Sequence, residues 1–247
     1  MTHARSVEMG ARAFAPPEGS PWQPGNLELF RSLSEPALDA VRAAMRVDRV
    51  AKDDVIFVQG DRAERAYALG AGSVRIMQIG SDGGQAIVRF IAPGETFGTV
   101  PLFTDHRLPA DAIAAEDSVV LSWSEAELRR LIALFPPIAM NVIEVLGARL
   151  GQLQERLREL TTQRVEQRIA HAVLRLAAQA GRDGSGGTTI AFPLRRKDIA
   201  EFSGTTLHTA SRTLAAWEKA GLLASRNGYL TIRDPDGLRR VAEDCAP

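Results

Sequence analysis

The residues best suited to chemistry in this chain are Thr205, Leu207, His208, Ser211 and Arg212. Leu207 and His208 precede Ser211 and Arg212 by four positions each, so on a helix the four side chains project together. Arg212 carries a guanidinium fork whose donors match guanine O6 and N7. The segment is short of acid, and its small polar N-terminal end suits entry into a DNA major groove. Thr205 or Thr206 is the natural N-cap, and the helix N-terminus so formed can touch a phosphate. Arg195, Arg196 and Lys197 lie just upstream and Arg226 downstream, as cations for phosphate contact. The competing reading of Arg212 is an ion pair to Glu201 or Glu218, and that of the upstream cluster is solvated surface charge.

The elements that must hold these residues are legible around them. Lys197 to Leu214 reads as a helix, a tight turn at Gly204 and a second helix from about Thr206 to Ala220, packed through Ile199, Ala210 and Leu214. Beyond it, Leu222-Leu223 and Tyr229 to Ile232 flank Asn227-Gly228, a strong hairpin signal. Helix, turn, helix and hairpin make a winged helix-turn-helix. Upstream, Ala139, Ile143, Leu146, Leu150, Leu153, Leu157 and Leu160 recur every three or four residues. That heptad seam predicts a coiled-coil dimer helix rather than a helix lying on its own domain. A further helix is expected over residues 162–180, a loop over Gly181 to Gly187, and a strand from Thr188 to Phe192.

From Arg46 to Trp123 the pattern is of short β segments with turn signals between them: Val55 to Val58, Tyr67 to Leu69, Val74 to Met77, Gln85 to Ile91, Ala112 to Ala114 and Ser118 to Trp123. This predicts a small antiparallel barrel or jelly roll. Ser124-Glu-Ala-Glu127 is a capping-box signature after it. Leu27 to Met45 has helical spacing with a restart at Ser34-Glu-Pro36, and residues 1–25 read as a flexible arm rich in Ala, Pro and Gly. The class is therefore α+β. Its parts are the arm at 1–25, an effector-sensing jelly-roll domain at 26–136, a dimerisation helix at 137–161, and a DNA-binding winged helix-turn-helix at 162–247.

Composition narrows the classes. Of 247 residues, 45% are hydrophobic and 24% charged, as in a soluble globular protein. No apolar run reaches the roughly 20 residues needed to span a bilayer, and no signal peptide core follows the N-terminus. A cytoplasmic protein without a membrane partner is expected. The net charge is zero, yet residues 161–247 hold 13 Lys+Arg against 9 Asp+Glu, a bias that suits phosphate contact. The single cysteine, Cys245, excludes an intramolecular disulfide and an iron–sulfur cluster. No nucleophile–base set, phosphate loop or paired-histidine metal spacing appears, so neither an enzyme nor a metal site is expected.

With the Val55-Ile-Phe-Val-Gln-Gly-Asp61 and Pro93-Gly-Glu-Thr-Phe-Gly98 segments in the β region, a heptad helix and a winged helix-turn-helix stand in order. Over Leu27 to Leu238 the chain resembles the Crp/Fnr family of bacterial transcription regulators. Residues 161–181 and Gly204 to Arg212 look most like the Nnr, NnrR and Dnr regulators of denitrification genes, which respond to nitrogen oxides. The resemblance implies a cytoplasmic homodimer, mainly an activator, that binds promoter DNA and works with RNA polymerase. In the family's Glu-x-x-Ser-Arg pattern, Arg212 matches the Arg and Ser211 the Ser, but His208 replaces the Glu. That departure implies a TTG-containing pseudo-palindrome rather than the usual TTGAT half-site. For the effector, Gly94-Glu95 keeps a ribose-holding pair, while Leu108-Pro109 stands where an Arg-Ser pair would hold a phosphate. Cyclic AMP is therefore disfavoured, though Arg107 lies one residue away. Haem is the cofactor the nitrogen-oxide branch suggests, with His106 as the only histidine of the β domain and His3 in the arm as axial candidates. The alternatives are a regulator of this family that answers another small effector, one that binds DNA constitutively, and a ligand-binding subunit of an enzyme or channel. The last has no need of the helix pair and wing.

Overall fold

The computed structural model describes residues 23–81 and 83–243. Most of the expected arm, with His3, and the C-terminal Cys245 lie outside these residues. A helix α1 (Glu35–Ala43) precedes the strands β1 (Arg46–Val50), β2 (Val55–Phe57), β3 (Arg65–Ala71), β4 (Val74–Ile79), β5 (Gln85–Ile91), β6 (Thr96–Phe97), β7 (Asp111–Ala114) and β8 (Ser118–Ser124). Helices α2 (Glu125–Leu134), α3 (Pro137–Thr162) and α4 (Val165–Ala180) follow. The C-terminal part comprises β9 (Gly181–Gly184), β10 (Gly187–Ile190), α5 (Arg196–Ser203), α6 (Leu207–Lys219), β11 (Leu223–Arg226), β12 (Tyr229–Ile232) and α7 (Pro235–Glu243).

The first eight strands form two antiparallel sheets, ordered β1-β8-β3-β6 and β2-β7-β4-β5. Leu69, Val74, Ile91, Ala112, Ala114 and Val120 fill the space between them. This is the jelly roll expected, with two strands that lacked a clear signature. β1 interleaves Val47 and Val50 with charged residues, and β6 is only two residues long, so neither shows a full period-2 pattern.

The helix expected from Leu27 begins only at Glu35. Leu27, Leu29 and Phe30 are all buried. On a helix Leu27 and Phe30 would share a face while Leu29 would turn away from it; the chain here runs through turns that bury all three. Ser32 sits at φ 59°, and Pro36 then opens α1, where its missing N–H costs nothing. Phe30 packs edge-on against Trp123 with centroids 4.9 Å apart, and Trp123 Nε1 donates to the Val41 carbonyl at 3.0 Å. The capping box at α2 is formed in full: the Ser124 hydroxyl accepts from the Glu127 N–H, and the Glu127 carboxylate accepts from the Ser124 N–H. Those bonds hold the Glu127 carboxyl below the usual carboxylate range, the serine hydroxyl contributing most. Ser124→Ala should cost about 1 kcal/mol, read as a lowered midpoint in urea unfolding with α2 otherwise intact.

Residues 181–187 differ from the loop expected of them. β9 pairs with β10 from Gly181↔Ile190 to Gly184↔Gly187, extending the wing to a four-stranded sheet β11-β12-β10-β9. All of β9 is exposed, so no apolar alternation could announce it. Gly187, at φ 115°, lies where a Cβ would come 2.0 Å from the Ile232 carbonyl. The final helix α7 packs Leu238 and Ala242 into the core with α4, and its first turn is closed by Asp234 Oδ1 accepting from the Gly237 N–H at 2.8 Å.

The C-terminal core does not end at its own elements. Ile87 and Phe90 of β5 belong to it. Phe90 stacks on Phe192 at 5.0 Å and meets Phe202 of α5 edge-on at 5.7 Å. These contacts seat the helix pair against the sandwich.

Candidate nucleic-acid interface and effector pocket

Gly204 ends α5 in the left-handed region, φ 66°, with its N–H bonded to the Ala200 carbonyl. A Cβ there would come 2.9 Å from Leu160 Cδ2 on α3, so the turn between the reading helices abuts the end of the seam helix. Thr206 is the N-cap of α6, its hydroxyl accepting from the Thr209 N–H at 3.2 Å. Ala210, Thr213, Leu214 and Trp217 face inward. Thr206, Leu207, His208 and Arg212 are exposed, and Thr205 and Ser211 are half-buried beside them. The sequence-derived stripe is therefore one outward face.

Arg212 makes no ion pair among the described residues, because both carboxylates considered for it are engaged elsewhere. Glu201 lies 3.4 Å from Lys197 Nζ. Glu218 accepts from Arg196 Nη2 at 3.0 Å and from the Ser225 hydroxyl. Arg196 also donates to the Ser211 carbonyl at 2.8 Å. Arg196 is thus a brace between α5, α6 and, through Glu218, β11. That spacing has a sequence signal only in hindsight, since the two partners lie 15 and 22 residues away. Arg195 caps α5 through Asp198, whose carboxylate accepts from the Arg195 N–H at 2.8 Å. The bonds to Asp198 raise the Arg195 guanidinium further above its ordinary value. Its outer face, Lys197 and the wing residue Arg226 remain exposed. Asn227 and Gly228 both take positive φ, 53° and 82°, as a tight hairpin turn requires.

The seam lies open in the single chain. Ile143, Leu150 and Leu157 are 60%, 58% and 64% exposed, and Leu146, Leu153 and Leu160 are exposed with them. A lone chain would not leave so long an apolar stripe in water.

The expected effector residues do not converge. Glu95 Oε1 accepts from Arg89 Nη2 at 2.8 Å, and its Oε2 accepts from the Ala92 N–H at 2.8 Å and from Gln179 Nε2 of α4 at 2.5 Å. Gly94, at φ 93°, turns the chain into β6, with its N–H on the Leu69 carbonyl. His106 lies on a separate turn at φ 56°, its Nδ1 buried without a hydrogen-bond partner among the described residues and 3.7 Å from Glu125. Leu108 is buried and the Arg107 guanidinium donates to the Gly60 carbonyl. Glu95 lines a cavity of about 620 Å³ between β5, α3, α4 and α5; His106, Arg107 and Leu108 do not. A haem needs its axial nitrogen facing a cavity. His106 as placed, turned to Glu125 and outside this space, does not fit that role. Among the described residues there is no cluster of three His, Cys, Asp or Glu that could hold a metal ion.

A jelly roll, an exposed apolar seam and an outward reading helix that presents Arg212 define a DNA-binding regulator of two-domain design. Residues 47–134 match the cyclic nucleotide-binding domain, and residues 167–241 match the Crp-like helix-turn-helix domain. The chain belongs to the Crp/Fnr family of transcription regulators, whose members are dimers and not enzymes. The cyclic AMP receptor protein of Thermus thermophilus is 27% identical over 214 residues, which cover 87% of this chain and 96% of that one. The fumarate and nitrate reduction regulatory protein of Escherichia coli is 26% identical over 212 residues, 85% of this chain and 84% of that one. Among solved structures, FixK2 of Bradyrhizobium japonicum shares the fold at a TM-score of 0.72 and 24% identity, over 82% of this chain and 98% of that one. No single helix among the described residues is long and apolar enough to cross a membrane.

Proposed function

We propose that this regulator controls denitrification genes, nitric-oxide reductase among them, in response to nitrogen oxides or low oxygen. It acts mainly as an activator: a cytoplasmic homodimer joined along Ile143, Leu146, Leu150, Leu153, Leu157 and Leu160 that recruits RNA polymerase. The observation that carries the reading is the outward stripe of α6, where Arg212 stands without an internal partner among the described residues, beside His208 and Ser211. Arg212 reads a guanine, Thr205 to His208 approach the groove edge, and Arg195, Lys197 and Arg226 take phosphates. Arg196 serves the same surface by bracing α6 from behind.

The branch assignment rests on the likeness of residues 161–181 and 204–212 to the nitrogen-oxide regulators. The Escherichia coli relative named for fumarate and nitrate reduction, and an anaerobic regulatory protein of Haemophilus influenzae that is 26% identical over 208 residues, support a role in anaerobic respiration. Without a cysteine set for a cluster, the signal reaches this chain by another chemistry, and a haem would need an axial ligand other than His106 as placed. Footprinting on a nitric-oxide reductase promoter, with and without nitric oxide and after anaerobic haem reconstitution, tests this. Protection of a TTG-containing pseudo-palindrome that changes with the gas supports the reading. Protection of the same site that ignores the gas leaves a constitutive binder controlled by its own abundance, and no protection there moves the target genes elsewhere.

A further inference from the structure

A two-residue elbow, Gln163 and Arg164, joins the seam helix α3 to α4, and both residues are extended. An elbow this short takes its angle from the side chains that cross it. Glu159 of α3, only 3% exposed, pairs with Arg175 of α4. His171 stands one turn before Arg175, between Glu159 and the elbow. Its Nδ1 is 3.9 Å from Glu159 Oε1, and its Nε2 is 3.2 Å from Gln163 Nε2. In that arrangement Gln163 Oε1 is buried with no hydrogen-bond partner among the described residues, and a buried acceptor left unpaired is costly. Half a turn of the amide brings Oε1 to His171 instead. The ring then meets an acceptor at each nitrogen. A neutral imidazole carries one N–H and can serve only one of the two, whereas an imidazolium carries two and serves both.

We propose that His171 is a proton-sensitive clasp of this elbow: on taking up a proton it donates to Gln163 from Nε2 and to Glu159 from Nδ1, and so ties α4 to the end of α3. The other charges around it are already engaged. On α3, Glu155 is bonded by Arg158, which holds its carboxyl below the usual range with His171 as a lesser cause, and Arg156 is turned to the Val88 and Phe202 carbonyls. On α4, Arg175 is committed to Glu159, and Arg168 donates to the Gly204 carbonyl in the turn between the reading helices. The second carboxylate, Glu155, offsets the repulsion from Arg175. α4 shares its core with α5, so what fixes the elbow also fixes how the helix pair stands to the seam. The clasp is closed at the acid end of the range in which histidines titrate, about pH 5 to 8, and slackens as the pH rises through it. The inference does not depend on which signal or promoter the protein serves.

Amide hydrogen exchange of the full-length protein tests it, without DNA so that His208 plays no part. The probes are the Gln163 and Arg168 amides, which bond the Glu159 and Arg164 carbonyls on the two sides of the elbow. Corrected for the intrinsic effect of pH on exchange, they should exchange about tenfold more slowly at about pH 6 than at about pH 8. His171→Gln should remove the difference, and the ring is 26% exposed, so its loss leaves the core intact. Gln163→Leu, which takes away one of the two acceptors, should cut the difference to about threefold or less, and it decides the matter if His171→Gln fails to fold. His106→Gln, on the sandwich, should leave the difference in place. Equal exchange at the two pH values in the native protein overturns the clasp. So does a difference that survives His171→Gln, that Gln163→Leu leaves whole, or that His106→Gln removes.

Discussion

Replacing Leu150 and Leu157 together with glutamate should yield a folded monomer whose affinity for a two-fold operator falls by about two to four orders of magnitude. Both side chains are more than half exposed in the single chain, so the protomer's own core does not need them. In a dimer each would lie on the seam, where burying a leucine contributes about 1.5–3 kcal/mol and a buried unpaired carboxylate is costly. Four such changes per dimer remove the seam. A monomer still reads a half-site, but the second contact no longer occurs at the high effective concentration that linkage gives. Sedimentation equilibrium and mobility shifts on whole and half operators check this, with near-ultraviolet circular dichroism confirming the fold. A variant that stays dimeric would place the interface elsewhere. A monomer that binds the whole operator as tightly as the native protein would show that dimerisation is not what sets affinity.

The heptad seam was legible because its physics is one-dimensional: a period of 3.5 along one helix needs no knowledge of what lies across the fold. The same holds for the Ser124 capping box, the Asn227-Gly228 turn and the left-handed Gly204, each set by neighbours within a few residues. What the chain hides is non-local. β9 presents glycines and charges to water, so it lacks the alternation that marks a half-buried strand. The segment at Leu27 to Phe30 mimics a helix by spacing, yet it runs through turns that bury Leu29 together with Leu27 and Phe30.

The sites divide along the same line. The reading stripe needs only α6 to be known, and residues four apart must then share a face. The effector region needs contacts between residues far apart in sequence. Glu95 is claimed by Gln179, 84 positions on, and Arg149 reaches Glu28, 121 positions back. Arg156 lies off the apolar seam of α3 and Gln179 on α4, and neither helix's one-dimensional pattern tells that the two residues line one cavity. Arg196 shows the same limit: its place beside Arg195 and Lys197 suggests a phosphate contact, while its partners, the Ser211 carbonyl and Glu218, lie 15 and 22 residues away.

Arg212→Ala should weaken each half-site by about 1–3 kcal/mol and relax discrimination at a single base pair, leaving stability unchanged. Because Arg212 has no internal partner among the described residues, its removal strands no buried charge. The orientation of α6 is kept by Arg196 and Glu218, which do not involve it. The effect should double in free energy on a symmetric operator, since each half-site loses the same bond and the two are separate. His208 lies one turn earlier on the same exposed face and cannot supply the carboxylate acceptor that cytosine's amino group prefers. His208→Glu should therefore strengthen a TTGAT half-site relative to the native one by up to about a hundredfold, while Arg212→Ala abolishes discrimination at the guanine in both backgrounds. Binding-site selection from a randomised half-site library, run on the native protein, each single variant and the double, separates the two positions. If Arg212→Ala leaves the selected sequence unchanged, the guanine is read by another side chain and the stripe merely contacts the backbone. If His208→Glu shifts preference at a base other than the one expected, α6 enters the groove in a different register from its relatives.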